Sequence, residues 1–325
     1  MNSETKLYPL KFLPIVQDKV WGGEKLAEIY QKGSSKIAGE SWELSGVDDF
    51  ISEVSNGVLK GRSLVSLIDT FEGKLVGEKV FKSFGNKFPL LFKFIDAKED
   101  LSVQLHPDDI VAQSRHNSFG KTEMWYILEA DENARLILGF DREMNQETYL
   151  KFLSEEKLTE ILKSEAVKPG DAFFLAPGTV HAIGAGVMLA EIQQTSNITY
   201  RIYDWDRPGT DGKMRELHTD LALDVIDFNA PNPKLDFKEE QDATALVCES
   251  QYFVTNKINL TKNGRRQYSN LDSFVVIMCL DGEVSIQCLD SEERIFKGDT
   301  ILIPAIAKEV YFNTDGASLL EVYVP

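Results

Sequence analysis

The chain has 325 residues, of which 35 are Lys or Arg and 52 are Asp or Glu, and its formal net charge at pH 7 is −17. Because this charge repels polyanions, it argues against nucleic acid and an anionic membrane surface as main partners, and any anionic substrate must be held by local cations. The hydrophobic fraction of 43% and the charged fraction of 27% are those of an ordinary globular protein, long enough for two domains and a large core.

Cysteine usage and the amino terminus bear on the cellular compartment. The three cysteines, Cys248, Cys279 and Cys288, form no C-x-x-C pair, and their odd number does not suggest a disulfide framework. A reducing compartment fits best. The first residues contain no apolar signal core, and no run approaches the roughly 18 apolar residues of a membrane span. We therefore expect a cytoplasmic protein with no membrane partner.

The amino-terminal third of the chain predicts strands and one helix. In residues 39–45 apolar and polar side chains alternate, which is typical of a half-buried strand. Apolar residues at helical spacing follow in residues 64–71, with Ser63 as a candidate cap. Residues 88–95 are apolar nearly throughout and too few for a typical buried helix, so they predict an interior strand.

Two pairs of polar residues follow this strand. Gln104 and His106 are two apart, so on a strand their side chains leave the same face about 6–7 Å apart, and Pro107 should end that strand. Lys121 and Glu123 are spaced in the same way. If the two strands pair, carboxamide, imidazole and carboxylate converge on one patch, a donor mixture that a divalent metal accepts. The alternative is a strand end with solvated polar groups.

The next region adds a third candidate ligand. A helical insertion is predicted at residues 149–162, with Asn145 as its cap. The turn at residues 177–184 places His181 at the start of a strand, where it can complete the patch. Further strands are expected at residues 187–193 and 199–203, and a last helix at residues 214–228.

The last part of the chain reads as a second β domain. Residues 231–242 are acidic and short of apolar side chains, which favours a linker between a domain at residues 1–230 and another at residues 243–325. Only short strands separated by turns follow. A Gly-Asp…Pro pattern repeats, with Lys308 at the place of His181. Because all four histidines precede the linker, we expect a metal-free carboxy-terminal barrel.

These patterns resemble the cupin superfamily, and more closely the type I mannose-6-phosphate isomerases. The resemblance rests on QLHPDD at 104–109, GKTEMWY at 120–126, PGTVHA at 177–182 and EIQQTSNITYRIYD at 191–204. It extends over nearly the whole chain, and the combination of blocks in order is specific where any one block is not. It implies a mainly β protein with two cupin-type jelly-roll barrels and helical insertions in the amino-terminal part.

The resemblance also implies an activity. The family interconverts mannose 6-phosphate and fructose 6-phosphate, an aldose–ketose isomerisation that passes through an enediolate. One Zn²⁺ per chain would be held by Gln104, His106, Glu123 and His181, and Arg201 would be catalytic. Longer relatives carry an aromatic residue at the position of Ile183, so contacts with the sugar are expected to differ there.

The residues around these blocks have more than one interpretation. The planar fork of Arg201 fits an enediolate or a phosphate, but an ion pair with Asp204 or Asp206 could occupy it instead. Ser102 and Arg207 are weaker candidates for phosphate contacts.

Two further side chains are candidate catalytic groups. Lys121 shares a face with Glu123 and could contact substrate, or it could form a salt bridge with Asp108 or Asp109. Glu191 could be an acid/base group or could orient a ligand histidine.

Other functions remain open from the sequence. Two histidines and a carboxylate also suit an iron-dependent cupin oxygenase, and a non-catalytic sugar-phosphate-binding cupin would use the same scaffold. We expect a small sugar phosphate as the partner, no nucleic acid, and a monomer or weak homodimer.

Overall fold

The computed structural model describes residues 6–229 and 231–325, and these residues form two compact units. One unit contains Glu43–Leu91 and Asp236–Pro325 together with the amino-terminal residues up to Ile15, and the other contains Val16–Trp42 and Phe92–Leu235. Each unit is thus built from separate stretches of the chain. The functional division into a domain at residues 1–230 and a domain at residues 243–325 stays a prediction.

The helices are short. They are α1 Lys25–Tyr30, α2 Leu64–Phe71, α3 Gly73–Val76, α4 Glu78–Phe84, α5 Asp109–His116, α6 Gln146–Ser154 and α7 Thr219–Leu223, with a 3₁₀ helix at Leu158–Ile161. Ser63 caps α2 by accepting a hydrogen bond from the Ser66 amide, and Asn145 caps α6 by accepting one from the Thr148 amide, as predicted. The last predicted helix is much shorter than expected, because only α7 is helical within residues 214–228.

Strands account for most of the regular structure, so the fold is mainly β, as predicted. They are β1 Leu10–Lys11, β2 Ile15–Gly23, β3 Ala38–Leu44, β4 Gly46–Val47, β5 Phe50–Ile51, β6 Leu90–Ala97, β7 Val103–Leu105, β8 Glu123–Ala130, β9 Arg135–Phe140, β10 Leu162–Ala166, β11 Ala172–Leu175, β12 His181–Ile183, β13 Val187–Gln194, β14 Tyr200–Tyr203, β15 Lys234–Leu235, β16 Thr244–Glu249, β17 Val254–Leu260, β18 Gly264–Gln267, β19 Val275–Cys288, β20 Ser291–Phe296, β21 Thr300–Ile303 and β22 Glu309–Tyr323. β15 lies inside the predicted linker, where it pairs with β11.

An antiparallel sheet organises the unit that contains the carboxy-terminal residues. Its order is β1-β21-β19-β22-β17-β16, with β18 on β22 and β20 on β19. Alternate residues of these strands form an apolar cluster that includes Ile277, Ile286, Ile301 and Leu319. The predicted run of strands after the linker is therefore confirmed.

Two sheets face each other in the other unit. One has five strands in the order β10-β9-β12-β7-β14, and the other has seven in the order β15-β11-β8-β13-β6-β2-β3. Leu138 and Ile183 of the first sheet and Trp125, Phe173 and Leu189 of the second belong to one buried apolar cluster. This cluster joins the two inner faces, as in a β-sandwich.

The outer face of the five-stranded sheet is also buried. Leu105 and Ala182, which alternate with inward-facing neighbours, cluster with Tyr149 of α6, Ala222 of α7 and Ile161 of the 3₁₀ helix. The predicted helical insertion therefore covers the back of the sheet that carries two of the candidate ligands. No helix in residues 6–229 and 231–325 is long and apolar enough to cross a membrane.

The two strands that carry the polar pairs do not hydrogen-bond to each other, so the condition of strand pairing is not met. β7 lies in the five-stranded sheet and β8 in the seven-stranded sheet. β7 instead pairs with β12 and β14, in a register that places His181, Gln104 and Arg201 in one row. Residues paired across strands share a face, so these three side chains leave the same side of the sheet.

Candidate metal centre and active site

Three buried side chains from the facing sheets meet in the interior. His106 follows β7, His181 begins β12 and Glu123 begins β8, and their candidate ligand atoms all lie within 4.8 Å of one another. Glu123 Oε1 is 3.3 Å from His181 Nε2 and 3.6 Å from His106 Nε2. The side chains are at most 2% exposed, so water does not screen them.

Backbone carbonyls orient both imidazoles. His106 Nδ1 is 2.8 Å from the carbonyl oxygen of Ile198, and His181 Nδ1 is 2.8 Å from that of Thr179. A carbonyl can only accept, so each Nδ1 carries the hydrogen and each Nε2 keeps its lone pair. This arrangement of a second partner behind the ring is the usual one for histidines that bind metals.

The charge states suit a cation. Burial, with the charge of Lys121, lowers the pKa of His106 to about 3, and burial lowers the pKa of His181 as well, so both rings are neutral at pH 7. Burial alone would raise the pKa of Glu123, but Lys121 and the two histidines hold it well below its usual value. The centre therefore offers two neutral nitrogens and one carboxylate.

The burial of the candidate ligand atoms shows whether a metal ion fits among them. Oε1 of Glu123 and Nε2 of His181 are buried and have no hydrogen-bond partner within the described part of the chain. Polar atoms are rarely buried without partners, because desolvation costs free energy that nothing offsets. A divalent metal bound by these atoms would satisfy them, and zinc prefers this mixture of nitrogen and oxygen ligands. The residues present thus fit a metal ion.

Gln104 lies next to this group in the sheet, opposite His181. Its Oε1 is 3.2 Å from the hydroxyl of Ser102, which donates to it, and both side chains line the adjacent cavity. Its role as a fourth ligand stays a prediction.

Lys121 points inward, as predicted. Its Nζ lies 2.9 Å from Glu123 Oε2 and 3.1 Å from His106 Nε2, and the side chain is 6% exposed. Asp108, one of the alternative partners, instead caps α5 by accepting a hydrogen bond from the Val111 amide. Lys121 therefore places a buried positive charge directly beside the centre.

A cavity of about 330 Å³ opens beside the centre, a volume suited to a small metabolite. The ionisable side chains that line it, apart from histidines, are Lys19, Lys93, Lys121, Arg201, Arg215, Glu40 and Glu191. Five are cations and two are carboxylates, whereas the whole chain carries a net charge of −17. Because the carboxylates of Glu123 and Asp204 pair with Lys121 and Arg215, the excess of positive charge at the cavity is small, but its sign favours an anionic ligand.

Glu191 is fixed by two buried partners. Its Oε1 is 2.9 Å from Lys93 Nζ, and its Oε2 accepts a 2.8 Å hydrogen bond from Trp125 Nε1. The Trp125 ring in turn packs edge-on against His181, with the ring centroids 5.2 Å apart. These contacts favour a positioning role, exerted through Trp125 rather than by a hydrogen bond to a ligand histidine.

A second buried network beside the cavity was missed from the sequence. Burial opposes the ionisation of Glu40, but Lys93 and Lys19 outweigh it and lower the pKa of Glu40 to about 2. Trp42 Nε1 donates a 2.6 Å hydrogen bond to the same carboxylate. The sequence contained a signal for this network, because Lys93 interrupts an apolar strand and a buried lysine needs a carboxylate partner.

Arg201 is available to a ligand. Its Nη1 donates to the carbonyl of Glu216 at 3.0 Å, and its Nε is buried without a partner within the described ranges. Burial and the charge of Arg215 lower its pKa. No ion pair with Asp204 or Asp206 is found in the described residues, so the alternative interpretation of Arg201 is not supported.

The two weaker phosphate candidates differ in position. Ser102 lines the cavity, but Arg207 does not. The guanidinium of Arg207 contacts Glu99 at 3.1 Å, the backbone carbonyl of Asp100, and Asp204 at 3.7 Å. Arg215, which the sequence did not single out, lines the cavity instead.

Fold and site together define a class: a mainly β protein with a candidate metal centre beside a cavity lined by five cationic side chains. Residues 9–134 match the family described as phosphomannose isomerase type I, catalytic domain, and residues 242–323 match mannose-6-phosphate isomerase, cupin domain.

Similar proteins agree with these matches. Mannose-6-phosphate isomerase ManA of Bacillus subtilis (strain 168) is 35% identical over 91% of this chain and 93% of its own length. The mannose-6-phosphate isomerase of Streptococcus mutans is 32% identical over 94% and 96%. The crystal structure of the mannose 6-phosphate isomerase from Bacillus subtilis superposes with a TM-score of 0.88 at 29% identity, over 98% and 99% of the two chains. The chain belongs to the type I mannose-6-phosphate isomerase family.

Proposed function

We propose that this protein is a metal-dependent mannose-6-phosphate isomerase, which interconverts mannose 6-phosphate and fructose 6-phosphate through an enediolate. The observation that carries the proposal is the buried His106–Glu123–His181 group, with unpartnered donor atoms, beside a cavity rich in cations. Membership of the family indicates the identity of the substrate, which is both a sugar and an anion.

The proposed metal is one Zn²⁺ per chain, with Gln104, His106, Glu123 and His181 as its ligands. Three of these residues form the donor group, and Gln104 is the neighbour of His181 in the sheet. When bound, the ion supplies Lewis-acid polarisation of the substrate oxygens and a template for their orientation.

The chain's own residues have distinct tasks in this reaction. Isomerisation moves a proton between C1 and C2 of the sugar, and negative charge develops on the two oxygens. Lys121, a buried ammonium beside the centre, and Arg201, with a free Nε–H, are the proposed catalytic residues that stabilise this charge. Because both cations are held by the protein before substrate binds, little reorganisation is needed in the transition state.

Glu191 completes the proposed site as a positioning residue. It holds Lys93 at the cavity wall and fixes the indole of Trp125 against His181. Ser102 is a proposed substrate contact on the same wall as Gln104. Arg207 is occupied by its acidic partners and is not a proposed substrate contact.

We also propose that the strands belong to two cupin-type jelly-roll barrels, a catalytic one with helical insertions and a metal-free one. The facing sheets around the centre support the first, and the match of residues 242–323 to a cupin domain supports the second. A crystal structure of the full chain would test whether the second barrel closes.

The decisive experiment combines metal analysis with a coupled assay for fructose 6-phosphate formation from mannose 6-phosphate. We expect stoichiometric zinc and turnover that chelation removes and zinc restores. Turnover that persists in metal-free protein would contradict the metal proposal, and zinc-loaded protein without turnover would point to the sugar-phosphate-binding alternative. Iron bound in place of zinc would favour the oxygenase, since its ligands can be the same.

A further inference from the structure

The loop between β14 and α7 carries two arginines with opposite surroundings. Arg207 has three acidic or carbonyl partners and does not line the cavity. Arg215 lines the cavity, and its side chain is 25% exposed. The loop thus presents one of its two guanidinium groups to a ligand.

Asp204 holds Arg215 in a fixed orientation. Nε of Arg215 donates to Oδ2 of Asp204 at 2.6 Å, and Nη2 donates to Oδ1. The Asp204 side chain is 4% exposed, so this pair is poorly screened by water. A guanidinium has five N–H donors, and a side-on pair with a carboxylate uses two of them. The remaining donors, on the other edge, are free for a second anion.

Arg201 supplies a second guanidinium in the same cavity. It comes from β14, the strand that precedes the loop, and its buried Nε has no partner within the described ranges. Two like charges that face one cavity repel each other unless an anion lies between them. A sugar phosphate that spans the cavity can contact both groups, with its reacting oxygens at Arg201 and its phosphate at the free edge of Arg215.

We propose that Arg215, oriented by Asp204, binds the phosphate group of the substrate and sets the preference for phosphorylated over free hexose, while Arg201 serves the oxygens at which charge develops. The inference rests on the proposed isomerase function and names the residues that recognise the anionic end of its substrate. Arg207, although it is the nearer arginine to Arg201 in sequence, does not take part in this recognition.

The test compares R215M with the wild-type enzyme in steady-state assays on mannose 6-phosphate. Loss of charge-assisted hydrogen bonds to an anion should raise KM about tenfold to a hundredfold, while kcat changes by less than about threefold. The inhibition constant of inorganic phosphate, the simplest probe of the subsite, should rise in parallel. R142M is the matched control, because Arg142 also forms a side-on pair with a neighbouring Asp but lies outside the cavity.

Two further variants separate recognition from folding. R215K keeps the charge but not the fork, and it should recover part of the lost affinity. D204N should raise KM less than R215M, since it frees the guanidinium without removing it. If R215M does not fold, R215K decides, with an expected several-fold rise in both KM and the phosphate inhibition constant.

Unchanged KM and unchanged phosphate inhibition in R215M would overturn the inference, and so would a rise in R207M without one in R215M. These outcomes leave the isomerase proposal intact when the wild-type enzyme turns over. If the wild-type protein does not turn over, calorimetric titration with inorganic phosphate still tests Arg215. Binding that is equal in wild type and R215M would then reject it.

Discussion

Two turns of similar sequence lead to different interiors in the two units. After Pro177, His181 enters β12 and is buried against Glu123. After Pro304, Lys308 stays exposed, and its Nζ donates to the backbone carbonyl of Leu271 at 2.8 Å. One sheet system therefore builds a polar centre that fits a metal, whereas the cluster within the other is apolar. The turn places one side chain at the start of the following strand, and the residue type there decides whether that side chain can bind a metal.

The largest expected effect on metal binding and turnover comes from comparing alanine substitutions at the equivalent positions of the two turns, His181 and Lys308. H181A removes a nitrogen donor from the proposed metal site, so bound metal and turnover should be lost together. K308A, the matched variant in the other turn, should retain both. Metal content by atomic emission and the coupled assay measure the contrast. Full activity of metal-free H181A would show that the two turns do not differ in function.

The next effect separates charge stabilisation from metal binding. R201A removes a cation that lines the cavity and is the proposed stabiliser of the developing charge, so metal content and melting temperature should be retained while kcat falls by about 10²- to 10⁴-fold. A rate near that of the wild type would make the assignment of Arg201 wrong. R201K serves as the comparison that keeps charge without the fork.

A smaller effect tests the buried ion pair behind the centre. E191Q leaves Lys93 buried with less compensating charge, and breaking such a pair costs about 3–5 kcal/mol in the free energy of unfolding. Urea unfolding measures this change. E155Q breaks the exposed pair with Lys157 and should leave stability nearly unchanged, because solvent screens that pair. Equal losses in both variants would contradict the proposed positioning role of Glu191.

The smallest effect concerns the helical cover of the five-stranded sheet. N145A removes the hydrogen bond to the Thr148 amide and should cost about 1 kcal/mol of stability. Metal content should not change, since α6 packs on the sheet face opposite the centre. Thermal melting with and without a chelator checks both statements. A cap variant that lost metal would mean that the cover and the centre are coupled.

Local patterns predicted much of what surrounds the site. Pro107 lies just beyond the end of β7, Ser63 and Asn145 cap their helices, and residues 88–95 correspond to the buried strand β6, all for reasons that act within a few residues. The types of the candidate metal ligands could also be predicted from the sequence, because a carboxamide, two imidazoles and a carboxylate can be recognised without coordinates. The shortness of α7 could not be predicted from the sequence. Apolar residues at helical spacing in residues 214–228 occur where an irregular segment packs on the core as well as where a helix does.

Interactions between distant residues were beyond the sequence. Lys93 and Glu191 are far apart in the chain, and their pairing follows from the positions of β6 and β13 in one sheet. Likewise, the loop after Arg201 has no periodic pattern that tells which arginine faces inward. Asp204 could pair with either arginine, and only the folded loop shows that it forms the close pair with Arg215.

The sequence by itself determined which atoms could bind a metal and that positions on or next to strands would carry them, because side-chain chemistry and the two-residue period of a strand are local properties. The tertiary structure decided how those atoms meet. His106 and His181 come from one sheet and Glu123 from the other, and they converge because the apolar inner faces of the two sheets pack together. Burial of those faces, a property of the whole unit, creates the dry interior in which the three polar side chains lie beside one another and beside Lys121.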